Sequence, residues 1–187
     1  MKSSSKIQSS SILSFLVVNK AYLGPPVGQI DRSLYDSLVG KRAGFTYYNI
    51  EASLLGVKHS LKVFEDIVVS GGKTLFVGGS VPLISSLLCL SFSEGAPVHV
   101  NLWGFSKISV ASGIDLLFLH EVDSKSIAES QGKSIPFIGV QCSTARGIGY
   151  PIHLNIDDPL LRSWYLYAVS ESYRRGLYRR CNKIHEI

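Results

Sequence analysis

The chain is short of cysteine: Cys89, Cys142 and Cys181 are the whole complement in 187 residues. Their odd number, wide spacing and lack of a CxxC pair argue against a disulfide framework and against a cysteine-built zinc site. Reduced thiols in a cytosol-like or matrix-like compartment are the expectation. Long apolar runs are also missing. Ser11 to Val18 and Leu83 to Phe92 are interrupted by serines, and both fall short of the ~18 residues that a membrane span needs. Negative charge is absent from one end, because the first thirty residues contain neither Asp nor Glu. That stretch begins "MKSSSKIQSSSILSFL", rich in serine, with Lys2 and Lys6. Such a composition fits a mitochondrial-type targeting segment. It fits equally a retained arm that touches nucleic acid.

What remains is enough for one domain with a full core. Apolar residues make up 45% of the chain, and mean hydropathy is slightly positive. This suits a soluble but greasy α/β domain that relies on partners to cover surface. The formal net charge of +5 is unevenly spread. Residues 1–50 and residues 161–187 each carry +4, and the stretch between them is mildly acidic. Two basic ends around an acidic middle suit a polyanionic partner.

The periodicities alternate. Ser11 to Lys20 reads as a short helix, and "YLGPPVG" then breaks the chain. Residues 25–43 read as irregular, with a short helix near Ser33 to Leu38. "GFTYYNI" (44–50) reads as a strand. Asn49 is placed to cap the next helix, with Glu51 in its first turn. Leu54, Val57, Leu61, Phe64 and Val68 form one apolar face of that helix, down to about Ser70. Strands follow at Lys73 to Val77, Pro97 to Val100, Ile114 to His120, Ile135 to Val140 and Tyr150 to Leu154. Helices are expected at Val81 to Ser93, after Asp123 to about Gln131, and after Asp158. Asp158 would cap the last helix, with Pro159 at its first position. Leu160, Leu161, Trp164, Tyr167 and Ala168 would form its apolar stripe, with an end near Gly176. Strands alternating with helices predict a mainly parallel sheet covered on both faces. Three regions are delimited: an arm at 1–20, an α/β domain at 21–176 and a basic tail at 177–187.

Catalytic motifs fare poorly. "SGGKTLFVGGS" (70–80) contains a GKT triplet, but a phosphate-binding P-loop needs glycine where Ile67 stands. The order is also reversed, since an apolar strand, not a helix, follows GKT. Gly71-Gly72 therefore reads as a helix C-cap. Gly78-Gly79-Ser80 follows a strand, where α/β folds bind phosphates, but Ser80 and Leu83 break GxGxxG. No GxSxG elbow or HExxH pair is present. His59, His99, His120, His153 and His185 are scattered and read as surface or satisfied core residues. Asp157-Asp158 is explained by helix capping.

The run "YRRGLYRRCNK" (173–183) is richer. Arginine's planar fork suits phosphate oxygens, and Tyr173 and Tyr178 are suited to stacking on bases or sugars. Lys41-Arg42 is a lesser candidate of the same kind.

Taken in order, four segments resemble the S-two family of small-subunit ribosomal proteins. They are "AYLG" (21–24), "GFTYYNIEASL" with the following helix and "GGKTLFVGG", "VNLWGFSKI", and "YPIHLNIDDPLLRS" (150–163). The resemblance spans roughly Ala21 to Gly176. It implies a flavodoxin-like (Rossmann-like) three-layer α/β sandwich without catalytic activity, cofactor or metal. It implies a seat near the head–body junction of the small subunit. The partners would be small-subunit rRNA and neighbouring ribosomal proteins, with no membrane and no homo-oligomer. Candidate rRNA contacts are Lys41, Arg42, Lys107, Arg174, Arg175, Arg179, Arg180 and Lys183. The chain departs from the family at three places. Only "SVASG" (109–113) stands where the family has a long helical hairpin. Pro25 replaces a histidine, and Gln141-Cys142-Ser143 replaces Asp-Thr-Asn. The contracted hairpin and the N-terminus without acidic residues favour a mitochondrial ribosome. Two other readings stand beside this one. One is an enzyme or sensor holding a phosphorylated small molecule at Gly78-Gly79-Ser80. The other is a non-ribosomal adaptor with an exposed apolar patch.

Overall fold

A computed structural model describes residues 3–30, 32–77, 98–101, 113–120, 124–132, 134–140, 149–155 and 158–185. The chain begins with helix α1 (Ser3–Val18) and strand β1 (Leu23–Pro26), followed by 3-10 turns at Val27–Gln29 and Arg32–Ser37. Strands β2 (Leu38–Arg42) and β3 (Phe45–Tyr48) precede the long helix α2 (Ile50–Ser70). Next come β4 (Thr74–Val77), β5 (Val98–Asn101), β6 (Leu116–His120), α3 (Ser124–Gly132), β7 (Phe137–Val140), β8 (Tyr150–Ile152) and α4 (Pro159–His185). The expected helix at 81–93, the turn at 78–80 and the segment at 141–143 lie outside the described residues.

The centre is a five-stranded sheet in the order β5-β4-β6-β7-β8, parallel throughout. The unbroken apolar runs of β4, β6 and β7 are buried along their whole length, as a sheet covered on both faces requires. Alternation divides their side chains between two cores. Phe76, Leu116, Phe118, Ile138, Val140 and Ile152 face α2 and α4. Leu75, Val77, Leu117, Leu119 and Phe137 pack with Ile127 of α3 on the other face. The register opposes Phe76 to Phe118, and the two rings stack at 4.5 Å. Phe64 of α2 meets both edge-on, at 6.0 and 5.1 Å. Each such aromatic pair adds ~0.5–1.5 kcal/mol beyond its buried area.

Helix α2 forms as its pattern demands. The Asn49 side chain accepts hydrogen bonds from the Glu51 and Ala52 amides, and Leu54, Val57, Leu61, Phe64 and Val68 are all buried. Gly71 ends the helix in the left-handed conformation at φ 79°, and its N–H reaches the Ile67 and Val68 carbonyls. Asp115 accepts from the Lys73 amide at 2.8 Å, tying the start of β4 to β6. The GKT triplet is thus a helix stop and a strand start.

Helix α4 corrects the sequence expectation in two ways. Asp158 caps it, accepting from the Leu160 and Leu161 amides, but the helix continues through Gly176 to His185. Residues 177–185 are therefore helix, not a tail. The buried stripe is Leu161, Tyr165, Val169 and Tyr173, whereas Leu160 and Tyr167 are exposed. Gly176 does not stop the helix because it serves packing. A Cβ there would lie 2.8 Å from the Val68 side chain and 3.0 Å from the Glu65 carbonyl oxygen. One turn earlier the Ser172 hydroxyl donates to the Leu61 carbonyl at 2.7 Å. Small residues at these two positions let α4 lie directly on α2.

A second correction concerns "GFTYYNI". Its strand, β3, is not part of the parallel sheet. It is the middle strand of a small antiparallel sheet, β1-β3-β2. Pro25 and Pro26 hid β1, yet an edge strand tolerates proline because its outer N–H groups need no partner. β2 is largely exposed and shows no apolar alternation. Helix α1 is longer than expected, and its Leu16 is fully buried in the core beside α2 and α4.

Gly176→Leu should separate the two helices and lower stability by ~1–3 kcal/mol. The check is a lower urea midpoint at unchanged slope, with partial recovery when Val68→Ala is added.

A candidate nucleic-acid interface

Because α4 lies on α2, the arginines of one helix meet the carboxylates of the other. Arg179 Nη1 binds Glu65 Oε1 at 2.6 Å and Asp66 Oδ1 at 3.3 Å. Arg175 Nε approaches Glu65 Oε2 at 3.5 Å. Lys62 reaches Glu65 at 3.4 Å and Asp66 at 3.1 Å within α2. Arg174 pairs with Glu171 one turn back, at 2.9 Å. Among the described residues four cations thus face three carboxylates, and three arginines of the run are paired. The Glu65 side chain is only 11% exposed. Burial pushes its pKa up, but the Arg179 hydrogen bond and the charges of Lys62 and Arg175 together hold it below the ordinary carboxylate value. The carboxylate is therefore a fixed anion that orients two guanidinium groups, each with further N–H donors available.

Glu65, Arg174, Arg175, Tyr178 and Arg179 line an open groove of about 460 Å³. Its walls are mainly carbon. Tyr178 is 69% exposed, but Tyr173 is only 4% exposed and stacks on Phe64 at 6.3 Å. Tyr173 is thus a core residue, contrary to the stacking role its sequence position suggested. The helical repeat explains this: Tyr173 falls four residues after Val169 on the buried stripe, whereas Tyr178 falls on the far side.

The other candidates are dispersed. Arg180 turns to the end of α2, where a Cβ on Gly71 would sit 3.0 Å from its Nη2. A cation there meets the negative end of the helix dipole. Lys41 and Arg42 are on β2 of the small sheet and do not line the groove. Lys41 Nζ sits 4.0 Å above the Tyr35 ring. Lys183 falls in the last turns of α4, and Lys107 lies outside the described residues. Sequence reading missed Lys62, Glu65 and Asp66. Their i, i+3, i+4 spacing beyond the apolar face of α2 marks a charged flank, but only the packing shows that α4 covers it.

A different polar feature marks the central sheet. Strand order reverses between β4 and β6, and parallel sheets bind ligands outside their carboxyl ends at such a point. His120 ends β6 there and is buried. Its ring lies 6.4 Å from Phe76 and 5.8 Å from Tyr165. Among the described residues neither ring nitrogen makes a hydrogen bond of ordinary geometry, nor does the Tyr165 hydroxyl. His153 is likewise buried, stacked on Tyr48 at 5.4 Å, and its Nδ1 has no partner among the described residues. These two histidines are core residues, one of the two placements expected. Burial pushes the His120 pKa down to about 4, opposed only weakly by the Val77 backbone, and burial lowers that of His153 too.

Among the described residues no three His, Cys, Asp or Glu side chains come together as a metal site. No described helix is long and apolar enough to cross a membrane. No protein-family model matches the chain, and no curated protein matches it.

The buried imidazole makes stability depend on pH. In the unfolded chain it takes a proton near pH 6.5, but in the fold only near 4. The stabilising contribution is complete above pH 6.5 and is lost as pH falls toward 4, amounting to about 3 kcal/mol. Urea midpoints between pH 7 and 4.5 should fall for the native chain and fall less steeply for His120→Phe.

Proposed function

We propose that the chain is a non-catalytic, rRNA-binding constituent of the small ribosomal subunit, of the S-two type in a mitochondrial form. Its body would be a flavodoxin-like three-layer sandwich, a reading supported by the sheet order β5-β4-β6-β7-β8 with helices on both faces. The observation that carries the proposal is that three of the resembling segments meet in space. The Asn155 amide donates to the Ala21 carbonyl at 3.1 Å, and the Tyr48 amide to that of Tyr22 at 2.8 Å. Gly24 abuts Thr46, and a Cβ on Gly56 would lie 2.7 Å from the Pro151 carbonyl oxygen. Residues 21–24, 44–56, 150–155 and 158–163 thus form one structural unit whose unusual residues serve packing and capping. A shared architectural need of this kind supports family kinship more than any single motif does.

In this reading the exposed guanidinium groups of α4, with Lys41 and Arg42, neutralise phosphates of small-subunit rRNA. Neighbouring subunit proteins would cover apolar surface. A groove of about 420 Å³ lined by Leu13, Val17, Tyr22, Val39 and Tyr47 offers such a surface. The mitochondrial assignment rests on the N-terminus without acidic residues and the contracted hairpin segment.

A second reading, a sensor or enzyme for a phosphorylated small molecule at Gly78-Gly79-Ser80, is favoured by one observation. Those residues come directly after β4 in the sequence, and the strand order reverses beside β4. Micromolar nucleotide or sugar-phosphate binding that Gly79→Val abolishes would establish it.

Sedimentation separates the two readings: the native chain should co-migrate with small ribosomal subunits. Arg174→Ala with Arg175→Ala should reduce its occupancy there. The same pair should reduce the salt dependence of RNA binding by roughly one unit of log–log slope per lost phosphate contact. Unchanged occupancy would remove these residues from the interface.

A further inference from the structure

The exposed face of α4 carries more than charge. Tyr167, Glu171, Arg174 and Tyr178 follow one another at steps of four, three and four, which places them in one line along the helix. Both tyrosines stand out of the surface, at 67% and 69% exposure. Arg174 lies between them. Arg175 and Arg179 flank Tyr178 on the side of α2, held by Glu65. A fold that buries Tyr165 and Tyr173 on the other side of the same helix does not need these two for its core.

We propose that this face binds an unpaired stretch of RNA, with a base stacked on Tyr178 in the groove and a second on Tyr167. The proposal rests on the rRNA-binding reading and narrows it from RNA in general to single strands, such as a loop or a bulge. Three observations carry it. The first is the neutralised charge. Beside the groove, Lys62, Arg174, Arg175 and Arg179 are paired with Glu65, Asp66 and Glu171, which weakens the attraction to phosphate there, because that attraction scales with the number of phosphates neutralised. The second is the mainly carbon wall of the groove, which suits a flat base better than a hydrated phosphate. The third is that Arg174, paired with Glu171 on the same line, stands between two exposed tyrosines. Single-strand binders use this pattern, with bases on rings and the backbone on arginines. Paired bases present no free face to a tyrosine, so a duplex gains nothing from it. Glu65 acts here as a positioning residue: it turns Arg175 and Arg179 so that their remaining donors border the groove.

The test uses the full chain and a 12-nucleotide RNA carrying 2-aminopurine, offered as a single strand or annealed to its complement. The single strand should bind more tightly than the duplex, and its 2-aminopurine fluorescence should change on binding. Tyr178→Leu should weaken single-strand binding about tenfold and leave duplex binding unchanged. Tyr178→Phe, which keeps the ring, should behave as the native chain. Since Tyr178 is exposed, these variants should fold, and a matching urea midpoint checks that they do. Equal affinity for the two RNAs, or no effect of Tyr178→Leu, overturns the proposal. So does equal affinity for a poly-glutamate peptide, which would assign the groove to an acidic protein segment. Co-migration with small subunits is scored separately, so a chain that co-migrates but shows no strand preference refutes this inference and leaves the ribosomal reading standing.

Discussion

The contact of α4 on α2 is the constraint from which the rest follows. Two helices approach this closely only where side chains are small, and here Ser172 and Gly176 supply the space opposite Leu61, Glu65 and Val68. Glycine inside a helix costs ~1 kcal/mol relative to alanine. The packing of Tyr165, Val169 and Tyr173 against the same core offsets that cost. The contact also fixes the rotation of α4. One side of the helix must bury Leu161, Tyr165, Val169 and Tyr173, so Tyr167, Arg174 and Tyr178 must face outward.

Electrostatics then follows from geometry. The arginine run looks, as text, like an uncompensated cationic tail. Folded against α2, it is partly spent on Glu65 and Asp66. Exposed pairs of this kind contribute little stability singly. Glu65 differs because it is nearly buried and holds two guanidinium groups at once. The surface is thus less a magnet for polyanions than an ordered array of oriented donors and rings. Binding at such a surface depends more on shape and stacking than on net charge. The charge that remains most open to phosphate is distributed between this face and the small sheet.

Much of the parallel core was legible. The runs of β4, β6 and β7 are apolar without alternation because both faces are covered, and their shortness favours strand over buried helix. The caps were equally plain: Asn49, Gly71 and Asp158 each act locally, on backbone groups within a few residues. The small sheet was not legible, since β1 contains two prolines and β2 has no buried alternation. Such strands exist only because β3 lies between them. The stripe of α4 was misassigned at Leu160 and Tyr167. An aromatic-rich helix offers two plausible faces, and local spacing alone does not choose between them. Of the interface, the arginines could be read from the chain, but Lys62, Glu65 and Asp66 could not be joined to them across more than a hundred residues.

By itself, then, the chain of residues determined the elements whose causes are local: the stop at Gly71, the caps at Asn49 and Asp158, and strands buried on both faces. These depend on hydrogen bonds and apolar runs spanning a few positions. Only the tertiary structure decided which tyrosine is core and which is surface, which arginine is paired and which is open, and that a glycine amid four arginines belongs to a helix crossing. Those outcomes depend on which face of α4 meets α2, and that is settled by long-range packing of side chains that no local window contains.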